Sequence, residues 1–207
     1  MKPAKTSKAW MKAHINDGFV RKARQEGYRS RAAYKLREIA ERDNLFRPGM
    51  TVVELGAAPG SWSQVALEHV GQTGSVFALD ILDMLPLPGV TFIQGDFREN
   101  ETLMKLEKIL NGRGVDLVIS DMSPNLTGIP VSDQVQGMHL AELALMFCHE
   151  HLNPGKNFLV KVFQGNDFEA FRRTMEADFT KVVVRKPKAS RDRSKELYLL
   201  GVEKIIC

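Results

Sequence analysis

The sequence predicts an α/β fold: a parallel sheet of five strands, helices on both of its faces, and an antiparallel hairpin at the end of the chain. Two patterns predict it. Short β-branched runs alternate with amphipathic stretches from about residue 50 onward, which is how a parallel sheet covered on both faces reads. The rhythm then breaks, because TKVVVRK and ELYLLGVEKI are joined by a basic loop too short and too polar for a crossover helix, so those strands pair antiparallel.

In chain order, residues 1 to about 28 are polar, basic and weakly periodic, and disorder is expected at their start. Ser30 can cap a helix running to about Asp43, with Ala33, Leu36, Ile39 and Ala40 at helical spacing. The turn Arg47-Pro48-Gly49 ends it. Strands are expected near 51–55, 75–79, 90–94, 115–120 and 157–163, and helices near 61–70, 99–111, 133–151 and 167–178. The domain reading is a basic, partly flexible extension over 1–28 and a single domain over 29–207.

The 207 residues, 43% hydrophobic and 26% charged, have the composition of one soluble globular domain. The opening residues lack a continuous apolar stretch, and no apolar run reaches spanning length, so the cytoplasm is the expected location. Two cysteines, Cys148 and Cys207, suggest no disulfide framework. The net charge of +4 is unevenly spread: residues 1–50 hold thirteen Lys/Arg against five Asp/Glu, and Lys181–Lys195 hold seven against Asp192 alone. Basic clusters around an acidic middle read as polyanion contacts flanking a different kind of pocket, or else as solvated faces.

That acidic middle is specific. Glu54, Asp80, Asp96 and Asp121 each stand where a predicted strand ends, and the carboxyl ends of the strands form the ligand crevice of an open α/β sheet. A crevice ringed with carboxylates repels phosphates and suits a cationic ligand with sugar hydroxyls, such as S-adenosylmethionine. The loop Gly56-Ala57-Ala58-Pro59-Gly60-Ser61-Trp62 lets a ligand approach the backbone, but it lacks the G-x-G-x-x-G spacing, and Pro59 has no N–H to offer a phosphate. Taken alone it is also an ordinary strand-to-helix turn. Asp80 can accept both hydroxyls of an adenosine ribose, although NAD would be held in the same way. Asp96 beside Phe97 offers a carboxylate and a flat apolar face for an adenine, or else caps a turn.

The candidate base is Lys161, inside the expected buried strand NFLVKVF, where a lysine is costly to desolvate unless paired. An edge-strand or snorkelling lysine is the plainer account. Asp121, in Ser120-Asp121-Met122-Ser123-Pro124-Asn125, could orient it. Lys35 and Glu196 are unremarkable alone.

Together the blocks resemble the FtsJ-type ribosomal RNA ribose 2′-O-methyltransferases over nearly the whole chain. They are Ser30–Leu36, Leu55–Gln64, Gln94–Phe97, Ser120–Asn125, Val160–Gly165, and Arg185–Pro187 with Ser190–Glu196. The sheet likewise resembles that of class I S-adenosylmethionine-dependent methyltransferases, which are Rossmann-like. The resemblance implies a catalytic set of Lys35, Asp121, Lys161 and Glu196, with Lys161 as proton acceptor. It puts Gly60, Trp62, Asp80, Asp96 and Asp121 at cofactor contacts, beside Gly56, Ala58, Pro59 and Phe97 of the same loops, and it implies no metal. Two departures are Glu54, where Asp is expected in many relatives, and Ser61, which replaces a second glycine. The implied substrate is a uridine ribose of 23S ribosomal RNA within the large ribosomal subunit, and the implied role is support of ribosome assembly; the diffuse basic charge points to a monomer working on the ribosome.

A 2′-hydroxyl is hard to ionise, so its proton should leave as the methyl arrives. Lys161 must then be neutral: burial and Lys35 favour the amine, Asp121 and Glu196 the ammonium. If it stays charged, it positions the hydroxyl and stabilises a developing alkoxide. Tyr28, Tyr34 or Trp10 could stack on a base, or pack internally. The alternatives are a tRNA ribose methyltransferase, a non-catalytic RNA-binding assembly factor, and a Rossmann dehydrogenase, the last disfavoured by Pro59 and the acidic rim.

Overall fold

The structure, a computed structural model, describes residues 17–125, 127–191 and 194–206. Trp10, Cys207 and the first part of the basic extension lie outside the described residues.

Seven strands form one sheet in the order β3-β2-β1-β4-β5-β7-β6. They are β1 (Thr51–Leu55), β2 (Ser75–Asp80), β3 (Val90–Gln94), β4 (Val115–Ser120), β5 (Leu152–Phe163), β6 (Phe179–Arg185) and β7 (Glu196–Lys204). The first five pair in parallel. Strand β7 is antiparallel to both β5 and β6 and lies between them. The expected sheet is therefore present, and its hairpin is inserted: the chain's last strand fills a slot between two earlier ones. Helix α6 (Phe168–Asp178) carries the chain from β5 to β6.

Both faces of the sheet are covered because each strand alternates its apolar residues between them. Val53, Leu55, Val118 and Val160 pack with α4 (Asn100–Leu110), α5 (Pro130–His151) and α6. Val52, Leu117, Ile119 and Leu159 pack with α1 (Gly18–Glu26), α2 (Ala33–Asp43) and α3 (Ser61–Val70). Among the described residues no helix is long and apolar enough to cross a membrane. Cys148 is a buried free thiol.

Helix α1 lies in the stretch read from sequence as weakly periodic. Asp17 caps it, its Oδ1 accepting from the amides of Phe19 (2.9 Å) and Val20 (3.4 Å), and Gly27 closes it at φ 78°. Only Val20 and Ala23 are buried along it, which is why hydrophobic periodicity was silent. The next helix starts at Ala33, three residues after its expected cap: Ser30 Oγ meets Ser61 Oγ at 2.8 Å and accepts from the Ala32 amide. A cap that should face its own helix is drawn to α3 instead.

At the far end of α5 the last carbonyls are served by Lys204, whose Nζ donates to Cys148 O (2.7 Å), His149 O (2.8 Å) and Leu152 O (2.9 Å). His149 turns to Asp178 at 2.8 Å.

Candidate active site

The carboxyl ends of β1, β2, β3 and β4 open onto a cavity of about 490 Å³, within the range of small-molecule sites. The loop after β1 makes its floor. Gly56 has φ 82°, and a Cβ on it would come within 2.7 Å of the Met122 backbone, so only glycine lets the β1 and β4 loops pass so closely. Gly60 has φ 100° where α3 begins, with the Met84 sulfur and the Arg29 guanidinium where a Cβ would be. Arg29 fastens this loop from outside by donating to Pro59 O (2.9 Å), Leu85 O (2.7 Å) and Pro86 O (2.9 Å).

Of the residues singled out in sequence, Lys35, Gly56, Ala58, Asp80, Asp96, Phe97, Asp121, Lys161 and Glu196 line the cavity together. Pro59, Gly60 and Trp62 do not line it. Trp62 is buried, donates from Nε1 to Ala32 O at 2.8 Å, and lies 5.6 Å from the Tyr198 ring.

The four strand-end carboxylates have separate surroundings. Asp80 accepts from the Ala58 amide on one oxygen and the Leu82 amide on the other, both at 2.8 Å, and so ties two cavity loops to the end of β2. Asp96 is paired with Arg98, Nη2 to Oδ2 at 2.5 Å and Nε to Oδ1 at 2.9 Å, and those hydrogen bonds hold its carboxyl below the usual range. Glu54 does not face the cavity. Period-two alternation puts it on the same side as Val52, under α3, where Ser63 Oγ donates to it. Burial pushes its carboxyl from 4.5 up to about 8; the Ser63 hydrogen bond opposes this, and Asp121 and Asp80 add to it. At neutral pH the rim thus carries fewer free negative charges than four strand-end acids suggest.

The sign of the resulting pH dependence follows from linkage. Folded Glu54 holds its proton more tightly than the unfolded chain does, so its stabilisation is full below about 4.5 and is lost as pH rises through about 8. Glu54→Gln should remove that loss: its urea midpoint, compared with that of the unaltered protein, should gain steadily between those values. An identical pH slope in the two proteins would show that Glu54 is ionised in the fold.

The four residues of the expected catalytic set meet where α2, β4, β5 and β7 converge. Lys161 is 6% exposed, and its Nζ donates to Asp121 O at 2.6 Å, lies 3.2 Å from Asp121 Oδ1, and contacts Ser123 Oγ. Lys35 Nζ pairs with Glu196 Oε1 at 2.7 Å. Tyr198 joins the two pairs: its hydroxyl is 2.9 Å from Asp121 Oδ1 and 3.2 Å from Glu196 Oε1. Burial and the two carboxylates hold that phenol well above its ordinary range, so it stays a donor. Sequence reading missed Tyr198, although it stands two residues from Glu196 and therefore on the same strand face. It is also the register partner of Lys161. Tyr28 and Tyr34 pack edge to face in the core, 5.8 Å apart, and bond to Glu68 and Glu26. Away from the cavity, His151 lies 3.2 Å from Glu107 and 3.7 Å from Glu150, a grouping that sequence spacing did not signal.

Chemically, the arrangement offers an amine held beside a carboxylate at the wall of a cavity with a carboxylate-bearing loop opposite, a site for moving a proton next to a bound cationic ligand. The sequence model of the FtsJ-like methyltransferases matches residues 28–204. The chain is 81% identical over 206 residues to the ribosomal RNA large subunit methyltransferase E of Nitrosomonas europaea, covering 100% of both. It is 68% identical to the protein of that name from Nitrosospira multiformis, covering 99% of both. A crystal structure described as a ribosomal RNA methyltransferase of Plasmodium falciparum superposes with a TM-score of 0.76 at 28% identity, over 86% of this chain and 99% of that one.

Proposed function

The chain belongs to the FtsJ-like methyltransferase family, and from that premise we propose that it methylates the 2′-hydroxyl of a uridine ribose in 23S ribosomal RNA of the large ribosomal subunit, with S-adenosylmethionine as donor. The reading rests on Lys161: a buried amine, bonded to Asp121, opening onto the same cavity as the β1 and β2 loops. The name shared by the curated relatives supports the choice of RNA.

The cavity residues fit such a donor. Each Asp80 oxygen accepts one backbone amide and keeps a lone pair for a ribose hydroxyl. Phe97 offers an apolar face, and Asp121 a carboxylate toward a positive charge. Pro59, Gly60 and Trp62 stand one layer back and hold the shape of the loop. When bound, S-adenosylmethionine supplies an electrophilic methyl group whose sulfur departs with the bonding pair as the acceptor oxygen attacks. Lys161 receives the acceptor's proton, Asp121 orients it, and the Lys35–Glu196 pair with Tyr198 holds Asp121 in place.

Lys35 and Glu196 stand on the cavity wall, so the basic segments that carry them border it, and phosphate contacts there give an affinity that falls with salt. The substrate places this monomeric enzyme in the cytoplasm, where it supports ribosome assembly.

The test incubates the protein with methyl-labelled S-adenosylmethionine and, separately, ribosomal subunits, free ribosomal RNA and tRNA, then maps the label. Label on one uridine ribose of the large-subunit RNA is expected. Label on tRNA would reassign the substrate, and RNA without ribose label would overturn the proposal.

A further inference from the structure

Lys161 Nζ has three oxygen partners: it hydrogen-bonds to the Asp121 carbonyl and the Ser123 hydroxyl, and it forms an ion pair with the Asp121 carboxylate at 3.2 Å. Two acceptors and a neighbouring carboxylate suit an ammonium. A neutral amine, however, has two N–H groups and one lone pair, and the lone pair needs a donor. A carbonyl and a carboxylate oxygen only accept. Ser123 is the one partner that can serve both protonation states, accepting from the ammonium and, after its O–H rotates, donating to the amine. Among these partners, only Ser123 can meet the lone pair of neutral Lys161. Both residues line the cavity, but Ser123 is exposed to it whereas Lys161 is almost wholly buried.

We propose that Ser123 relays the acceptor's proton to Lys161. This rests on the ribose-methylation reading. As the acceptor oxygen forms its bond to the methyl carbon and the carbon–sulfur bond breaks with its electron pair going to sulfur, the hydroxyl proton passes to Ser123 Oγ. The Ser123 proton passes in the same event to Lys161 Nζ. Oxygen ends as an ether, Ser123 as a hydroxyl and Lys161 as an ammonium, so no charge is left on the relay. A relay also explains how an amine so enclosed can act as a base without leaving its strand.

Single-turnover methyl transfer in mixtures of light and heavy water distinguishes a relay from direct transfer, because two protons moving together give a bowed dependence on deuterium fraction and one gives a straight line. The unaltered enzyme should give the bowed line. Ser123→Ala should lower the rate about tenfold or more and give a straight line. Ser123→Thr, which keeps the hydroxyl, should restore both the rate and the curvature. Calorimetry should find cofactor affinity the same in all three proteins. A straight line for the unaltered enzyme, or Ser123→Ala keeping the full rate, overturns the relay, and so does a slow Ser123→Ala that keeps the bowed line. Each of those results still shows transfer to a ribose and leaves the parent reading standing; an unaltered enzyme that labels no ribose defeats the parent reading instead.

Discussion

Lys161→Ala is expected to lower kcat by at least about a hundredfold, the contribution of a positioned proton acceptor, while the cofactor dissociation constant stays within about threefold. The reason for the split is geometric. Lys161 bonds to Asp121 and Ser123 on the β4 side of the cavity, whereas the loops suited to the donor's sugar hang from Asp80 at the end of β2. Asp121 keeps its bond from Tyr198 in the variant, so the carboxylate facing the cavity is not released. Lys161→Arg separates base from electrostatic aid: a guanidinium holds its positive charge at every working pH and cannot accept a proton. Inactivity of both variants marks a base, and substantial turnover by Lys161→Arg marks stabilisation of a developing negative charge. Near-normal turnover by Lys161→Ala would remove Lys161 from the chemistry. Rapid-quench measurement of one turnover, beside calorimetry of cofactor binding, provides both numbers.

Asp80→Ala should have the opposite signature, weakening the cofactor by about a hundredfold with a smaller effect on kcat at saturation. Hydrogen bonds to a charged group contribute about 1.5–3 kcal/mol each, and this carboxylate makes more than the ribose contacts read from sequence. It also holds the Ala58 and Leu82 amides, so the alanine variant loses ligand contacts and frees two walls of the cavity at once. Asp80→Asn keeps one acceptor oxygen, so one of the two walls stays tethered; its loss should fall between the unaltered protein and Asp80→Ala. Unchanged affinity in Asp80→Ala would show that the donor's sugar is held elsewhere.

The sheet was legible because its strands are short β-branched runs, and six of the seven were read within a residue of where they lie. Strand β5 begins five residues earlier than expected, since LNPGK carries no β-branched residue to announce it. Helix α1 escaped because Val20 and Ala23 are its only buried residues; its signature was Asp17 before it and Gly27 after. At the site, sequence could place four acids at strand ends but not say what each would meet. That Asp96 is neutralised by Arg98 and that Glu54 is kept protonated under α3 are consequences of packing. Glu54's direction alone was readable, from its even spacing to Val52. Ser123 stood inside a block already singled out and Tyr198 two residues beyond another, yet each needed a partner more than 30 positions away in the chain to acquire a role.

Because β7 is slotted between β5 and β6, the Glu196 and Tyr198 side of the cavity cannot exist until nearly the whole polypeptide has been made. Lys35 waits for Glu196 through 161 residues of synthesis, and Lys161 for its strand partner Tyr198. The parallel strands and their cofactor-side loops are complete well before then. The order of translation thus separates the two halves of the site in time: a nascent chain still missing its last strand already carries the loops tethered by Asp80 but not the Glu196 and Tyr198 frame beside Asp121. A chain cut just ahead of residue 196 would keep the glycine loop and lose the reaction.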